Sequence, residues 1–215
     1  MKKIMFVCTG NTCRSPMAEA ILRAMLKEKG IAGVRVSSSG VSPVVGQPIA
    51  PNANAALEFL GYKPVKYRAR QLQAGDVETQ DLIVCMTESH KRYLGGGENI
   101  TTIAAITGLH DVNDPYGDSA DTYIKTAEYL KYACADILNI IEKALQAEAK
   151  EKELTAALKK RKAQEAKALK AVKAEKVLKT PKPVKPKTPK AQKEPKPPKP
   201  VKTVKPVKQE KTKIK

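Results

Sequence analysis

The stretch Lys3-Ile4-Met5-Phe6-Val7-Cys8-Thr9-Gly10-Asn11-Thr12-Cys13-Arg14-Ser15-Pro16 decides the reading of this chain. Lys3–Val7 is an apolar, strand-like run, and a helix-like run opens at Ser15-Pro16. Between them a short glycine-containing loop separates a cysteine from an arginine. Backbone N–H groups of such a loop, and of the helix N-terminus after it, converge on one point and bind a dianion. The Arg14 guanidinium adds a planar fork for two phosphate oxygens. The same positive field poises Cys8 as a thiolate nucleophile. Ser15 is placed to cap the helix and to hydrogen-bond the thiolate, and Pro16 suits a first helical turn. Far along the chain, Asp114-Pro115-Tyr116 offers a carboxyl group for general acid work, with Asp111 as the competing carboxylate. The Cys-to-Arg spacing alone also fits a buried cysteine and an unrelated surface arginine. The strand-to-helix setting is what favours the anion cradle.

Working outward, strand and helix patterns alternate. Ser15–Lys29 carries Met17, Ala20, Ile21, Ala24 and Met25 at helical spacing, and Val34–Ser38 is a second strand. Asn52–Leu60 reads as a short helix stopped at Gly61. Asp81–Met86 is a continuous apolar run of the kind a buried parallel strand carries. Thr87–Leu94 is a helix halted by Gly95-Gly96-Gly97, and Ile100–Ile103 is a last strand. A final helix begins near Ser119, with Ala127, Leu130, Cys134, Ile137, Leu138, Ile141 and Leu145 on its inner stripe. This order predicts an α/β fold: a small open parallel sheet of about four strands with helices on both faces. The phosphate-binding loop then lies at the C-terminal end of the first strand, where open α/β sheets bind ligands.

Three segments together resemble the low-molecular-weight protein tyrosine phosphatase family. They are Cys8-Thr9-Gly10-Asn11-Thr12-Cys13-Arg14-Ser15-Pro16, Asp81-Leu82-Ile83-Val84-Cys85-Met86-Thr87, and Asp114-Pro115-Tyr116-Gly117 ahead of the last helix. The resemblance covers residues 1–147. It implies hydrolysis of phosphorylated protein side chains through a phosphocysteine on Cys8. Arg14 and the amides from Thr9, Gly10, Asn11, Thr12 and Cys13 to Ser15 would hold the phosphoryl oxygens, and Asp114 would protonate the leaving group. No cofactor is implied. Tyr116 resembles the aromatic wall of the substrate pocket, and Ser38 resembles the serine that hydrogen-bonds the loop asparagine. One departure stands out: Tyr67 lies near a position where family members commonly carry a histidine in the network supporting the loop. The run from Phe6 to Glu19 is most similar to the bacterial protein arginine phosphatase branch. Its Thr12 suits the polar guanidinium of phosphoarginine, whereas isoleucine there suits the ring of phosphotyrosine, so the tyrosine reading stays open. Related arsenate reductases share the loop but need a further cysteine pair downstream, and Cys85 has no near partner in sequence.

Composition then assigns the charge. The chain has 215 residues and a net charge of +18, yet residues 1–147 sum to only +1. Residues 148–178 add +5 and residues 179–215 add +12, so the basicity belongs to an appendage and says nothing about the active site. Residues 148–178, rich in Ala, Lys, Glu and Leu, read as a helical extension. Residues 179–215 repeat Lys-Thr-Pro-Lys and Lys-Pro-Val-Lys and read as a disordered tail. Such a tail is either a non-specific binder of nucleic acid or another polyanion, or a solvated extension. The run Ile4–Val7 is too short for a signal sequence, and no apolar run is long enough for a transmembrane segment. A cysteine nucleophile needs a reducing compartment, which points to the cytoplasm. Cys13 reads either as a partner that traps oxidised Cys8 in a disulfide or as a packed thiol. Cys85 and Cys134 read as core fillers. His90 and His110 have no ligand-like spacing to the cysteines, so no metal site is expected.

Overall fold

The computed structural model describes residues 1–178, so the reading of the 179–215 tail lies outside the described residues. The chain divides into two units at Lys162, and the first, Met1–Lys162, is compact. All of the following concerns the first.

Strand β1 (Lys3–Cys8) is the axis of the fold. Successive side chains of a strand point to opposite faces, and β1 uses both. Ile4, Phe6 and Cys8 enter one apolar cluster, while Met5 and Val7 enter another. Strand β2 (Arg35–Gly40) pairs with one edge of β1, β3 (Leu82–Cys85) with the other, and β4 (Ile100–Thr102) with β3. All pairings are parallel and the order is β2-β1-β3-β4, the open four-stranded sheet expected from the alternation of patterns.

Six helices follow the strands: α1 (Arg14–Glu28), α2 (Pro51–Phe59), α3 (Ala74–Thr79), α4 (Glu88–Tyr93), α5 (Ile103–Thr107) and α6 (Ala120–Leu178). On one face α1 buries Met17, Ile21 and Leu22, α2 buries Leu57, and α6 buries Leu130, Cys134, Ile137 and Ile141 against Ile4 and Phe6. Each large side chain so buried contributes roughly 1.5–3 kcal/mol relative to exposure. On the other face Met5, Val7, Ile83, Cys85 and Ile100 pack with Val77 of α3 and with Leu72 and Leu94.

Two helices escape the pattern of the sequence. In α3 only Val77 packs inward, so it shows no apolar period; a capping box between Gln73 and Asp76 starts it. In α5, Ile103 was expected to end the last strand. Instead the Thr102 hydroxyl accepts from the Ala105 N–H at 3.0 Å, and this cap turns the chain into a helix one residue early.

The ends of the strands set the site. Cys8, the last residue of β1, is in register with Gly40, the last of β2. The Val41 and Ser42 N–H groups donate to the carbonyls of Cys8 and Thr9, each at 3.0 Å, tying the start of the loop to the neighbouring strand.

Candidate active site

The loop from Thr9 to Cys13 wraps around the Cys8 sulfur. Ser15 Oγ lies 2.9 Å from Cys8 Sγ, and the Asn11 N–H points at the same sulfur from 3.2 Å. To aim that N–H inward, Asn11 adopts φ 54°, the only positive φ among the described non-glycine residues. Asparagine is among the few L-residues that tolerate this conformation.

The Asn11 side chain holds the turn with all its polar atoms. Its amide nitrogen donates to Ser15 Oγ at 3.0 Å and to Ser38 Oγ at 2.9 Å, and its oxygen accepts from the Arg70 N–H at 3.0 Å. Ser38 in turn lies 3.0 Å from the Tyr67 hydroxyl, which donates to Glu19 at 2.7 Å. Burial, with the Glu19 carboxylate beside it, pushes the Tyr67 phenol far above its ordinary range, so it stays a donor. A tyrosine therefore supplies the support that the sequence left open at this position. Glu19 is itself nearly fully buried and is paired with Arg23 at 2.7 Å.

Gly40 lies beneath the loop. A Cβ at this position would sit 2.5 Å from the Thr9 carbonyl oxygen and 3.1 Å from the Asn11 nitrogen. The strand can pass this close to the loop backbone only where no side chain intervenes.

Opposite Asn11, Arg14 is buried at the start of α1. Its Nη1 donates to the Val112 carbonyl at 3.1 Å and its Nη2 meets Asp114 at 2.5 Å, while its buried Nε has no hydrogen-bond partner among the described residues. The guanidinium is thus fixed from behind by the main chain. Thr9 Oγ1, the next hydroxyl along, is 3.5 Å from Arg14 Nη2 and 2.9 Å from His90 Nε2. His90 Nδ1 rests on Thr87 Oγ1 at 2.8 Å. Burial, and next the Arg14 charge, push the His90 pKa down to about 4, so the imidazole is neutral at pH 7 and adds no charge to the loop.

A pocket of about 240 Å³ gathers Cys8, Thr9, Gly10, Thr12, Cys13, Arg14, Asp114 and Tyr116. Tyr116 is largely exposed at its side, and its N–H approaches Asp114 Oδ1 at 3.4 Å. Asp111 is not among the lining residues; its carboxylate accepts from the Glu88 N–H at the start of α4 at 3.0 Å. Among the described residues no group of His, Cys, Asp and Glu could hold a metal ion. Cys13 is buried beside the Tyr123 hydroxyl at 3.3 Å, and burial raises its pKa. One expectation fails. Ser15 does not cap α1, because the cap position belongs to Cys13 and carries no side-chain hydrogen bond. The loop residues that would supply a cap are committed to shaping the anion cradle, and Ser15 is already inside the helix with its hydroxyl on Cys8.

An anion cradle with a cysteine on its floor and an Arg–Asp pair on its wall suits phosphoryl transfer, and comparison with known proteins agrees. A family model described as low molecular weight phosphotyrosine protein phosphatase matches residues 3–151. The chain belongs to that family. It is 36% identical over 135 residues to a protein-arginine-phosphatase of Bacillus subtilis, a match covering 60% of this chain and 89% of that one. It is 38% identical over 136 residues to the low molecular weight protein-tyrosine-phosphatase PtpB of Staphylococcus haemolyticus, covering 60% and 93%. Among solved structures, the YwlE arginine phosphatase, in a cysteine-to-serine mutant with a phosphorylated active-site serine, matches with a TM-score of 0.61. The identity is 33%, and the match covers 66% of this chain and 96% of that one. The protein is a cysteine-dependent protein phosphatase of the low-molecular-weight type, a hydrolase. None of its described helices is long and apolar enough to cross a membrane.

Within this phosphatase Cys8, Arg14, Ser15, Ser38 and Asp114 come together from three separate stretches of the sequence. Four further contributors were not legible. His90, Glu19 and Arg70 look like ordinary surface residues of helices and loops, and Gly40 looks like a strand terminator. The signal that could have found Gly40 is its place at the end of the strand parallel to β1, where only glycine clears a loop that turns over it.

Proposed function

We propose that this phosphatase hydrolyses phosphoarginine in proteins through a phosphocysteine on Cys8. The observation that carries the chemistry is the Cys8 sulfur, held by Ser15 Oγ and the Asn11 N–H on the floor of a pocket walled by Arg14 and Asp114. The phosphoryl dianion takes over the inward-facing donors of Arg14, including the unpartnered Nε, together with the loop amides. Asp114, released from Arg14 by that exchange, takes up a proton from solvent and passes it to the leaving nitrogen as the P–N bond breaks and the P–S bond forms. A water then attacks phosphorus, Asp114 takes its proton, and the P–S bond breaks. Ser15 stabilises the departing thiolate by hydrogen bonding. The phosphorylated active-site serine of the solved YwlE mutant supports such a covalent step. Cys8→Ser should lose turnover of p-nitrophenyl phosphate with an unchanged melting temperature. Retained turnover would remove Cys8 as the nucleophile.

The arginine preference rests on Thr12, which lines the pocket with its hydroxyl near Cys13. A hydroxyl can accept from a guanidinium N–H, and apolar bulk at position 12 cannot. Exposed Tyr116 can stack on either a guanidinium or a phenol ring, so it does not discriminate. The test is the ratio of kcat/KM on matched phosphoarginine and phosphotyrosine peptides. The ratio should favour phosphoarginine and fall by about tenfold in Thr12→Ile. An unchanged ratio defeats the assignment and leaves phosphotyrosine as the substrate.

The +12 charge of residues 179–215 supports a separate role in polyanion binding. Full-length protein should then bind DNA without sequence preference at low salt, and protein ending at residue 178 should not. The four cysteines, all free and buried, fit a reducing compartment such as the cytoplasm.

A further inference from the structure

A second cavity, of about 640 Å³, shares two lining residues with the hydrogen-bond chain that ends on Cys8. Those residues are Glu19 and Tyr67. None of the residues around the catalytic pocket lines it. Its size falls within the range of small-molecule sites. Ala20 and Ala24 of α1 face Tyr62, Pro64 and Val65 of the following loop region across it, a setting for a flat apolar body. The charged residues around it are Arg23, Lys27, Lys63 and Lys66 against Glu19 and Glu28. Glu19 is already neutralised by Arg23, so the remaining balance is cationic and favours an anion. Arg23, its side chain more than half exposed, is anchored on one edge: Nε and Nη2 donate to the Val36 carbonyl at 3.1 and 2.7 Å, and Nη2 also meets Glu19. Its Nη1 makes no hydrogen bond among the described residues. That is an anchored guanidinium with one donor edge to spare, one helical turn from Lys27.

We propose that this cavity is a regulatory site for a small aromatic carboxylate, whose binding is sensed at Cys8 through Tyr67, Ser38, Asn11 and Ser15. The chain has a definite polarity. Tyr67 donates to Glu19, and so accepts from the Ser38 hydroxyl. Ser38 then accepts one amide proton of Asn11, whose other proton goes to Ser15. Ser15, accepting there, has its own proton for the Cys8 sulfur. Every member is buried or half-buried, so a change at one end is poorly screened by water. A carboxylate on Arg23 Nη1 competes with Glu19 for the guanidinium charge, so Glu19 draws harder on the Tyr67 hydroxyl and Tyr67 on Ser38. Asn11 is then drawn toward Ser38 and away from Ser15, the Ser15 hydrogen bond to the sulfur weakens, and the ligand inhibits. The inhibition rests on the proposed role of Cys8; the binding does not.

The probe is 2-naphthoate, with neutral 2-naphthamide as the control, added to ¹⁵N-labelled full-length protein whose catalytic loop is saturated with inorganic phosphate. Amide signals of Ala24, Gly61 and Tyr62 should shift saturably with naphthoate, with half-saturation below about 1 mM, and should not do so with the amide. Lys27→Glu combined with Lys63→Glu should weaken this binding about tenfold. Without phosphate, saturating naphthoate should lower kcat for p-nitrophenyl phosphate at least about twofold at unchanged KM. In Tyr67→Phe the amide shifts should persist while the inhibition, relative to that variant's own rate, disappears. Absent shifts, or shifts confined to the Thr9–Ser15 amides, would overturn the site. An unchanged kcat in the wild type, or inhibition that survives Tyr67→Phe, would overturn the coupling. A Cys8→Ser protein that stays active would instead defeat the catalytic reading while leaving the amide shifts in place, so the two failures are distinguishable.

Discussion

Replacing Gly40 with alanine tests how tightly the catalytic loop is held. The substitution adds one methyl group beneath the loop, touches no reacting atom and changes no charge. Gly40 does not have a positive φ, so alanine is tolerated by the local backbone and the effect is steric alone. The new Cβ would lie 2.5 Å from the Thr9 carbonyl oxygen, whereas ordinary contact begins at 3.4 Å. Something must therefore move by about 0.9 Å, and the neighbour is backbone rather than a flexible side-chain end. Strand β2 is fixed in register along the whole of β1, so the yielding part is the Thr9–Asn11 turn. A misplacement of about 1 Å in a positioned catalytic group costs on the order of 100-fold in rate. Overpacking of this kind destabilises a fold by typically about 1–3 kcal/mol. The expected result is a folded protein with a modestly lowered melting temperature and a kcat on p-nitrophenyl phosphate about 100-fold below wild type. Gly75→Ala is the control, because nothing lies within 4 Å of its added Cβ; in α3 it should leave kcat unchanged. A Gly40→Ala enzyme within about threefold of wild-type kcat would refute the claim that the strand and the loop are locked together.

Three further outcomes follow from the geometry. Asp114→Asn should lower turnover roughly 100-fold, because proton transfer to the leaving group and from the water is lost while the nucleophile and the anion cradle remain, whereas Asp111→Asn should cost stability at the start of α4 and little rate; the reverse order in steady-state kinetics would transfer the acid role to Asp111. His90 has a folded pKa of about 4 against an ordinary value of 6.5, so between these values the unfolded chain binds the extra proton and stability falls as pH drops, by roughly 3 kcal/mol at the limit. Urea midpoints at pH 4.5 and 7 should therefore differ less in His90→Gln than in wild type, and equal differences would show that His90 is not the titrating group. Peroxide should convert Cys8 to a sulfenic acid that condenses with the Cys13 thiol, releasing water and giving a disulfide that thiols reverse; mass mapping should find that linkage, and Cys13→Ser should be inactivated irreversibly. Equal irreversible oxidation in both proteins would leave Cys13 as a packed thiol.

How much of this was legible in one dimension depends on how local the physics is. The parallel sheet followed from the alternation of patterns and from the apolar runs Ile4–Cys8 of β1 and Leu82–Cys85 of β3, which belong between two layers. The loop was legible because a strand, a glycine-containing turn and a helix N-terminus are consecutive in sequence, so the cradle is built by neighbours. Helices α3 and α5 were not legible, because their caps, Gln73 with Asp76 and Thr102, outweigh a weak apolar pattern.

The linear pattern of residues was enough for the nucleophile's setting, the order of the strands along the chain and the placement of charge outside residues 1–147. The folded arrangement alone shows which carboxylate lines the pocket. Asp111 and Asp114 are three residues apart, and what separates them is that one meets the Glu88 N–H while the other reaches Arg14. It likewise decided that Tyr67 and Glu19 support the loop, that His90 stays neutral behind Thr9, and that Gly40 must lack a side chain. Each of these depends on contacts between residues tens of positions apart. Hydrophobic periodicity records which face of an element is buried, but it carries no record of which polar group waits on the other side.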